Sequence, residues 1–108
     1  MPTTITTNSD VTTLINVFTV DPADQERVLD LLIEATDKYI RHIPGFIAAN
    51  FHASTDGTRV VNYAQWASPD DWKAMLADPD CAAHIGEVMR ISQPDYHLYR
   101  VVSTHTKD

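Results

Sequence analysis

Apolar and polar positions alternate from Thr12 to Val20, which predicts a strand with Leu14, Asn16, Phe18 and Val20 on one side and Ile15 and Val17 on the other. Asp21-Pro22 stops it, the carboxylate capping a helix whose first position is Pro22. Val28, Leu29, Leu32, Ala35, Thr36, Tyr39, Ile40 and Ile43 then recur at three- and four-residue spacing down to Pro44-Gly45, one stripe of a helix. Phe46 to Ala53 and Thr58 to Trp66 read as two strands, with Phe46, Ala48, Asn50 and His52 sharing a face of the first. Ser54-Thr55-Asp56-Gly57 joins them as a hairpin, because Asp-Gly accepts the positive φ of such turns. Ser68-Pro69-Asp70-Asp71 and Asp78-Pro79 repeat the helix-start chemistry, giving a short helix with Trp72, Met75 and Leu76 and another with Ala82, Ile85, Val88 and Met89. Tyr96 to Val102 closes the series as a fourth strand.

The order strand, helix, strand, strand, helix, strand is an α+β, ferredoxin-like split βαβ arrangement with helices on one side of an antiparallel sheet. It sets strands one and three side by side, so Leu14, Asn16 and Phe18 neighbour Val60, Asn62, Ala64 and Trp66 under the helices. The other face would carry Ile15, Val17, Ile47, Phe51, Val61, Tyr63, Tyr99 and Val101. An apolar sheet face of that extent needs a cover, which predicts a homodimer packed sheet to sheet. One domain over residues 12–103 is expected, with residues 1–11 and 104–108 as loose tails.

The charge balance narrows the partners. Eight basic against fifteen acidic residues leave a net charge of −7 with no Lys/Arg cluster, which argues against nucleic acid and against anionic membrane surfaces. The polar, threonine-rich start has no apolar leader segment and no later apolar run approaches a bilayer span, so the chain reads as cytoplasmic. A single cysteine, Cys81, forms no intrachain disulfide. Cys81 and His84 could share a helix face, but two ligands do not close a zinc site, so no metal is expected. There is no glycine-rich phosphate loop and no nucleophile elbow.

The densest chemistry lies in Val60-Val61-Asn62-Tyr63-Ala64-Gln65-Trp66. Asn62 and Trp66 fall on one strand face, about 13 Å apart, with only the small Ala64 between them, a gap that suits a flat ligand. A carboxamide and an indole N–H are neutral donors that can hold a carbonyl or enolate oxygen beside an apolar cavity. The competing structural explanation is a buried amide tied to backbone and a core tryptophan. His52 ends its strand on the face of Phe46 and could reach the pocket rim as a base; a half-exposed strand-end histidine is its ordinary alternative.

The runs Ile43-Pro44-Gly45-Phe46, Phe51-His52-Ala53-Ser54-Thr55-Asp56-Gly57-Thr58 and Val60 to Trp66 resemble the antibiotic biosynthesis monooxygenase family, in particular its cofactor-free, quinone-forming members from polyketide pathways. The resemblance implies a dimeric α+β barrel with one site per subunit between sheet and helices. It implies functional roles for Asn62, Trp66 and Asn16, with Trp72, Phe18, Phe46 and Met75 as walls around an aromatic substrate. It also implies oxidation by O2 as co-substrate with no cofactor. The chain departs from one well-matched relative at Trp72, where that relative has tyrosine, and near Ile85, where a helix arginine has no counterpart. Haem-degrading monooxygenases share the fold, and Asn16 and His84 resemble their asparagine and iron ligand, although their tryptophan would align with Met75. A non-oxidative polyketide cyclase or small-molecule-binding dimer is a further alternative on the same fold.

Overall fold

The computed structural model describes residues 2–108; Met1, the first residue of the expected tail, lies outside them. Four strands, β1 (Thr12–Val20), β2 (Phe46–Ala53), β3 (Arg59–Trp66) and β4 (Ser92–Tyr99), form one antiparallel sheet in the order β2-β3-β1-β4. Helices α1 (Gln25–Lys38), α2 (Pro69–Ala77) and α3 (Pro79–Met89) pack against it, with short 3-10 turns at Pro22–Asp24 and Ile40–His42. This is the expected ferredoxin-like arrangement, with β1 and β3 central.

The predicted caps set the helix starts. The Asp21 carboxylate accepts from the Ala23 N–H, the Ser68 hydroxyl from Asp71, and Asp78 from both Asp80 and Cys81, each with proline in the first turn. The long helix opens and closes in tighter turns than its stripe suggested, and Leu31 is buried in it while Leu29 packs at the core's margin. In the hairpin, Gly57 takes φ +80° and Asp56 accepts from the Thr58 side chain, the Thr58 N–H and the Ser54 hydroxyl. Those bonds, the Thr58 hydroxyl foremost, lower the Asp56 carboxyl to about 2.

Two expectations fail for physical reasons. Between Phe46 and Ala48 the β2–β3 register slips, leaving Ile47 as an extra residue in a bulge. Because side chains alternate, one inserted residue exchanges the faces beyond it. Phe51 therefore pairs with Asn62 and packs under the helices rather than on the open face, while Ala48, Asn50 and His52 turn away from them. The fourth strand also begins at Ser92, four residues earlier than expected, and runs through Pro94 to Tyr99. A proline is tolerated there because β4 is an edge strand with a single neighbour.

The core divides into two clusters. One gathers Phe18, Val28, Leu32, Val60 and Val88; the other gathers Leu14, Ala64, Trp66, Trp72, Met75 and Cys81. Ahead of β1, the Thr3 hydroxyl donates to Asn50 Oδ1, and Gln65 Nε2 donates to the Thr4 carbonyl, so this segment crosses the open face of the sheet. No helix among the described residues is long and apolar enough to cross a membrane.

Candidate active site

Asn16 on β1 and Asn62 on β3 are direct register partners, and Tyr96 on β4 is the partner of Asn16 on its other side. Asn62, Asn16 and Tyr96 thus stand in a row across three strands, neighbours about 4.8 Å apart, on the face that meets the helices. Leu14, Phe18 and Pro94 flank the row on the sheet. Opposite it, α2 contributes Trp72, Met75 and Leu76, and α3 contributes Ile85, Val88 and Met89. Between the walls lies a cavity of about 190 Å3.

The cavity's electrostatics are unusually simple. Among the described residues none lining it carries a formal charge, and Tyr96 is the one ionisable side chain on its wall. Tyr96 is 48% exposed, and its ring meets that of Trp72 edge-on, centroids 5.6 Å apart at 61°, so this aromatic pair marks the mouth. The amide oxygens of Asn16 and Asn62 are sealed from solvent and have no hydrogen-bond partner. An unsatisfied buried acceptor costs about 1–3 kcal/mol, so the fold holds two polar groups at an energetic loss that nothing in its own core repays. A half-turn about the Cβ–Cγ bond would exchange oxygen for NH2, so each amide offers the cavity an acceptor or a donor.

Behind Asn62 lies a second hollow of about 40 Å3. Trp66, Phe46, Ala49, Phe51 and Ala64 line it, and Leu14, Leu32, Ile40, Met75 and Asn62 border both spaces. Trp66 is 1% exposed and meets the Phe46 ring edge-on at 5.4 Å and 84°. The one hydroxyl among the described residues lining this hollow, that of Thr36, donates to the Leu32 carbonyl at 2.8 Å.

Of the residues singled out in the sequence, Asn62, Asn16, Phe18, Trp72 and Met75 come together around the main cavity. Trp66 and Phe46 belong to the smaller hollow behind it. Two do not join them. His52 sits on the other side of the sheet because of the Ile47 bulge, with its Nδ1 3.2 Å from the Asn50 carbonyl. His84 packs its ring 5.0 Å from that of Tyr39 and its Nδ1 against the Asp80 carbonyl at 3.2 Å, and Ile85 rather than His84 lines the cavity. That placement removes the histidine from the position a haem-binding reading required.

Cys81 is fully buried, and burial, with the Asp78 carboxylate adding to it, pushes its thiol up to about 11. It is a neutral core side chain. Among the described residues no three His, Cys, Asp or Glu side chains gather to hold a metal ion. Tyr96 was the functional candidate that the sequence reading missed. The alternation Pro94, Tyr96, Leu98 was its available signal, hidden by starting the strand too late.

Comparison with known proteins agrees with this fold. The family model described as antibiotic biosynthesis monooxygenase matches residues 12–87. Tetracenomycin-F1 monooxygenase of Streptomyces glaucescens is 47% identical over 91 residues, covering 84% of this chain and 81% of that protein. A monooxygenase from the gene ActVA-Orf6 of Streptomyces coelicolor, solved with nanaomycin D, superposes with a TM-score of 0.79 at 32% identity, over 90% of this chain and 92% of that one. SnoaB of Streptomyces nogalater, a cofactor-independent oxygenase, gives 0.75 at 26% identity, over 92% of this chain and all of its own. With its sheet and most of its length inside the matched span, the chain belongs to the antibiotic biosynthesis monooxygenase family.

Proposed function

We propose that this monooxygenase oxidises an anthrone-like or phenolic polycyclic aromatic to a quinone with O2, and that it does so without a cofactor. The observation that carries the proposal is the Asn16–Asn62 pair, two unpartnered amides facing an uncharged apolar cavity. Such a wall holds an oxygen that gains charge while supplying no competing ion. Its relatives support the reading: one is named for tetracenomycin F1, one is cofactor-independent, and one was solved with nanaomycin D.

The substrate supplies the electrons. Loss of a proton from an anthrone-like CH2 leaves a delocalised enolate, which gives one electron to O2 to form a caged radical pair. Recombination makes a C–O bond and, with one proton, a hydroperoxide. Loss of water then leaves the new carbonyl, so CH2 and O2 become C=O and H2O. Asn62 and Asn16 hydrogen-bond the oxyanion as it forms, fixed donors being most effective where charge develops in a dry site. Trp66 lies on the oxygen-bearing side, and Phe18, Trp72 and Met75 hold the rings. At about 190 Å3 the cavity falls below the usual range of about 300–1,000 Å3, so the leading rings enter and the remainder rests at the Tyr96–Trp72 mouth. The wall offers no carboxylate or imidazole, and the proton departs toward the mouth, where water and the Tyr96 hydroxyl meet. Consumption of one O2 per quinone by the purified chain, given an anthrone and nothing else, tests this reading. An absolute need for flavin, hemin or metal would defeat it.

The protein acts as a cytoplasmic homodimer in this account. Ile15, Val17, Val61 and Tyr63 crowd the face of the sheet away from the helices, and Ile47 and Tyr99 stand about half exposed there. A second copy would cover the apolar face. Light scattering at micromolar concentration should give twice the 12.1 kDa of one chain; a monomer mass would remove the dimer from the account.

A further inference from the structure

We infer that the small hollow behind Asn62 is the dioxygen site, a gas pocket separate from the cavity that takes the organic substrate. The inference rests on the proposed monooxygenase chemistry for its role, but the hollow is argued from its own walls. At about 40 Å3 it exceeds the roughly 10–15 Å3 that one water needs, and it is far too small for an aromatic ring. Its lining is mostly apolar, with Phe46, Ala49, Phe51, Ala64 and Trp66 as its own walls, and its polar side chains besides the Trp66 indole are Thr36 and Asn62. A water there would find the Asn62 amide but few of the two to four polar partners that hold one in place, since the Thr36 hydroxyl has already given its proton to the Leu32 carbonyl. Apolar hollows of that kind stay dry and take up apolar gases such as xenon. Dioxygen is a diatomic of matching size and polarity.

Position gives the hollow its function. Asn62, Leu14, Leu32, Ile40 and Met75 border both spaces, so a molecule in the hollow is one side chain away from a ring in the main cavity. Asn62 carries a sealed, unpartnered polar group at that boundary. When the enolate passes one electron to O2, the superoxide formed in the hollow carries the negative charge, and the same amide that faced the enolate can donate to it. The radical pair then collapses across this boundary into the C–O bond. Two asparagines on the sheet thus divide the work, Asn16 remaining with the organic oxygen and Asn62 serving both reactants in turn.

Ala64 is the place to test it, because it lies on β3 between Asn62 and Trp66, is 2% exposed, and lines the hollow without lining the main cavity. Ala64→Val adds two carbons to the hollow and suits a strand. The expected result is a KM for O2 raised about tenfold, with the KM for the aromatic substrate and kcat at saturating O2 within about twofold of the parent. Crystals of the unaltered protein under xenon pressure should show xenon in the hollow, a readout that needs neither turnover nor a folded variant. No xenon there, or an Ala64→Val protein with the parent's KM for O2, overturns the inference. A parent that fixes xenon in the hollow but consumes no O2 with any hydroxylated polycycle instead removes the proposed monooxygenase chemistry, and with it the reason to call the gas dioxygen.

Discussion

Replacing Asn62 by alanine is expected to lower kcat about 100- to 1,000-fold, the loss of roughly 3 kcal/mol that follows removal of one fixed donor to a developing oxyanion. The chain should fold at least as well as before. In the parent, Asn62 Oδ1 is sealed and unpartnered, so alanine deletes a polar atom held at a loss of about 1–3 kcal/mol and leaves no broken hydrogen bond behind. A purely structural asparagine would behave the other way, its loss lowering the melting temperature because partners would be stranded. Steady-state turnover and thermal unfolding of the same preparation separate the two. Full activity in Asn62→Ala would end the role assigned to this amide, and a fall in stability would show that its oxygen has a partner in the folded chain. Lower activity with undiminished stability is the pattern of a group kept for function, as strained or unsatisfied sites commonly are.

Trp66→Ala should have the largest effect on stability. Trp66 is among the largest fully buried side chains, closes one cluster of the core and meets Phe46 edge-on. Truncating a buried tryptophan costs about 3–5 kcal/mol, a large share of the roughly 5–15 kcal/mol that holds a domain of this kind together. Urea unfolding should therefore show a much lower midpoint with an unchanged slope. Trp66→Phe keeps most of the apolar volume and removes only the indole N–H, so it isolates the chemical contribution from the packing one. A cost below about 1 kcal/mol for the alanine variant would mean that the indole does not carry the packing seen between β3 and α2.

The parts of the fold that were legible in the sequence are those set by local chemistry. Asp21, Ser68 and Asp78 announce their helices because each is followed by proline and each side chain finds first-turn N–H groups. Asp56-Gly57 announces its hairpin because few other residue pairs accept that backbone. The Asn16–Asn62 pairing was also within reach, since strand alternation and the split βαβ order together put both on the helix side. What escaped were features decided by neighbours. Nothing in Phe46-Ile47-Ala48 marks a bulge: there is no glycine, and the pressure to insert Ile47 comes from fitting β2 to β3. That one residue carried His52 away from the cavity and brought Phe51 in. Similarly, Ser92-Gln93-Pro94-Asp95 is polar and contains proline, so it reads as loop; only its place at the sheet's edge makes it strand, and with it Tyr96 becomes the third member of the site's row. A cavity is likewise a property of what several elements fail to fill, and no single element's pattern contains it.

Asn16 extends the account beyond one residue. If both amides act on the same oxyanion, the losses from Asn16→Ala and Asn62→Ala will not add, because residues serving one charge act as a unit. If the gas site is placed as inferred, the Asn62 variant should lose more than the Asn16 variant, since Asn62 alone of the two also borders the smaller hollow.

The most direct test of the central claim is the mass of the product formed under 18O2 in ordinary water. The purified chain, with an anthrone and no added flavin, hemin or metal, should give a quinone carrying one 18O atom, the other oxygen leaving as water. A quinone without the label, or no quinone until a cofactor is supplied, would contradict an enzyme that brings an electron-rich ring and dioxygen together by the placement of neutral amides alone.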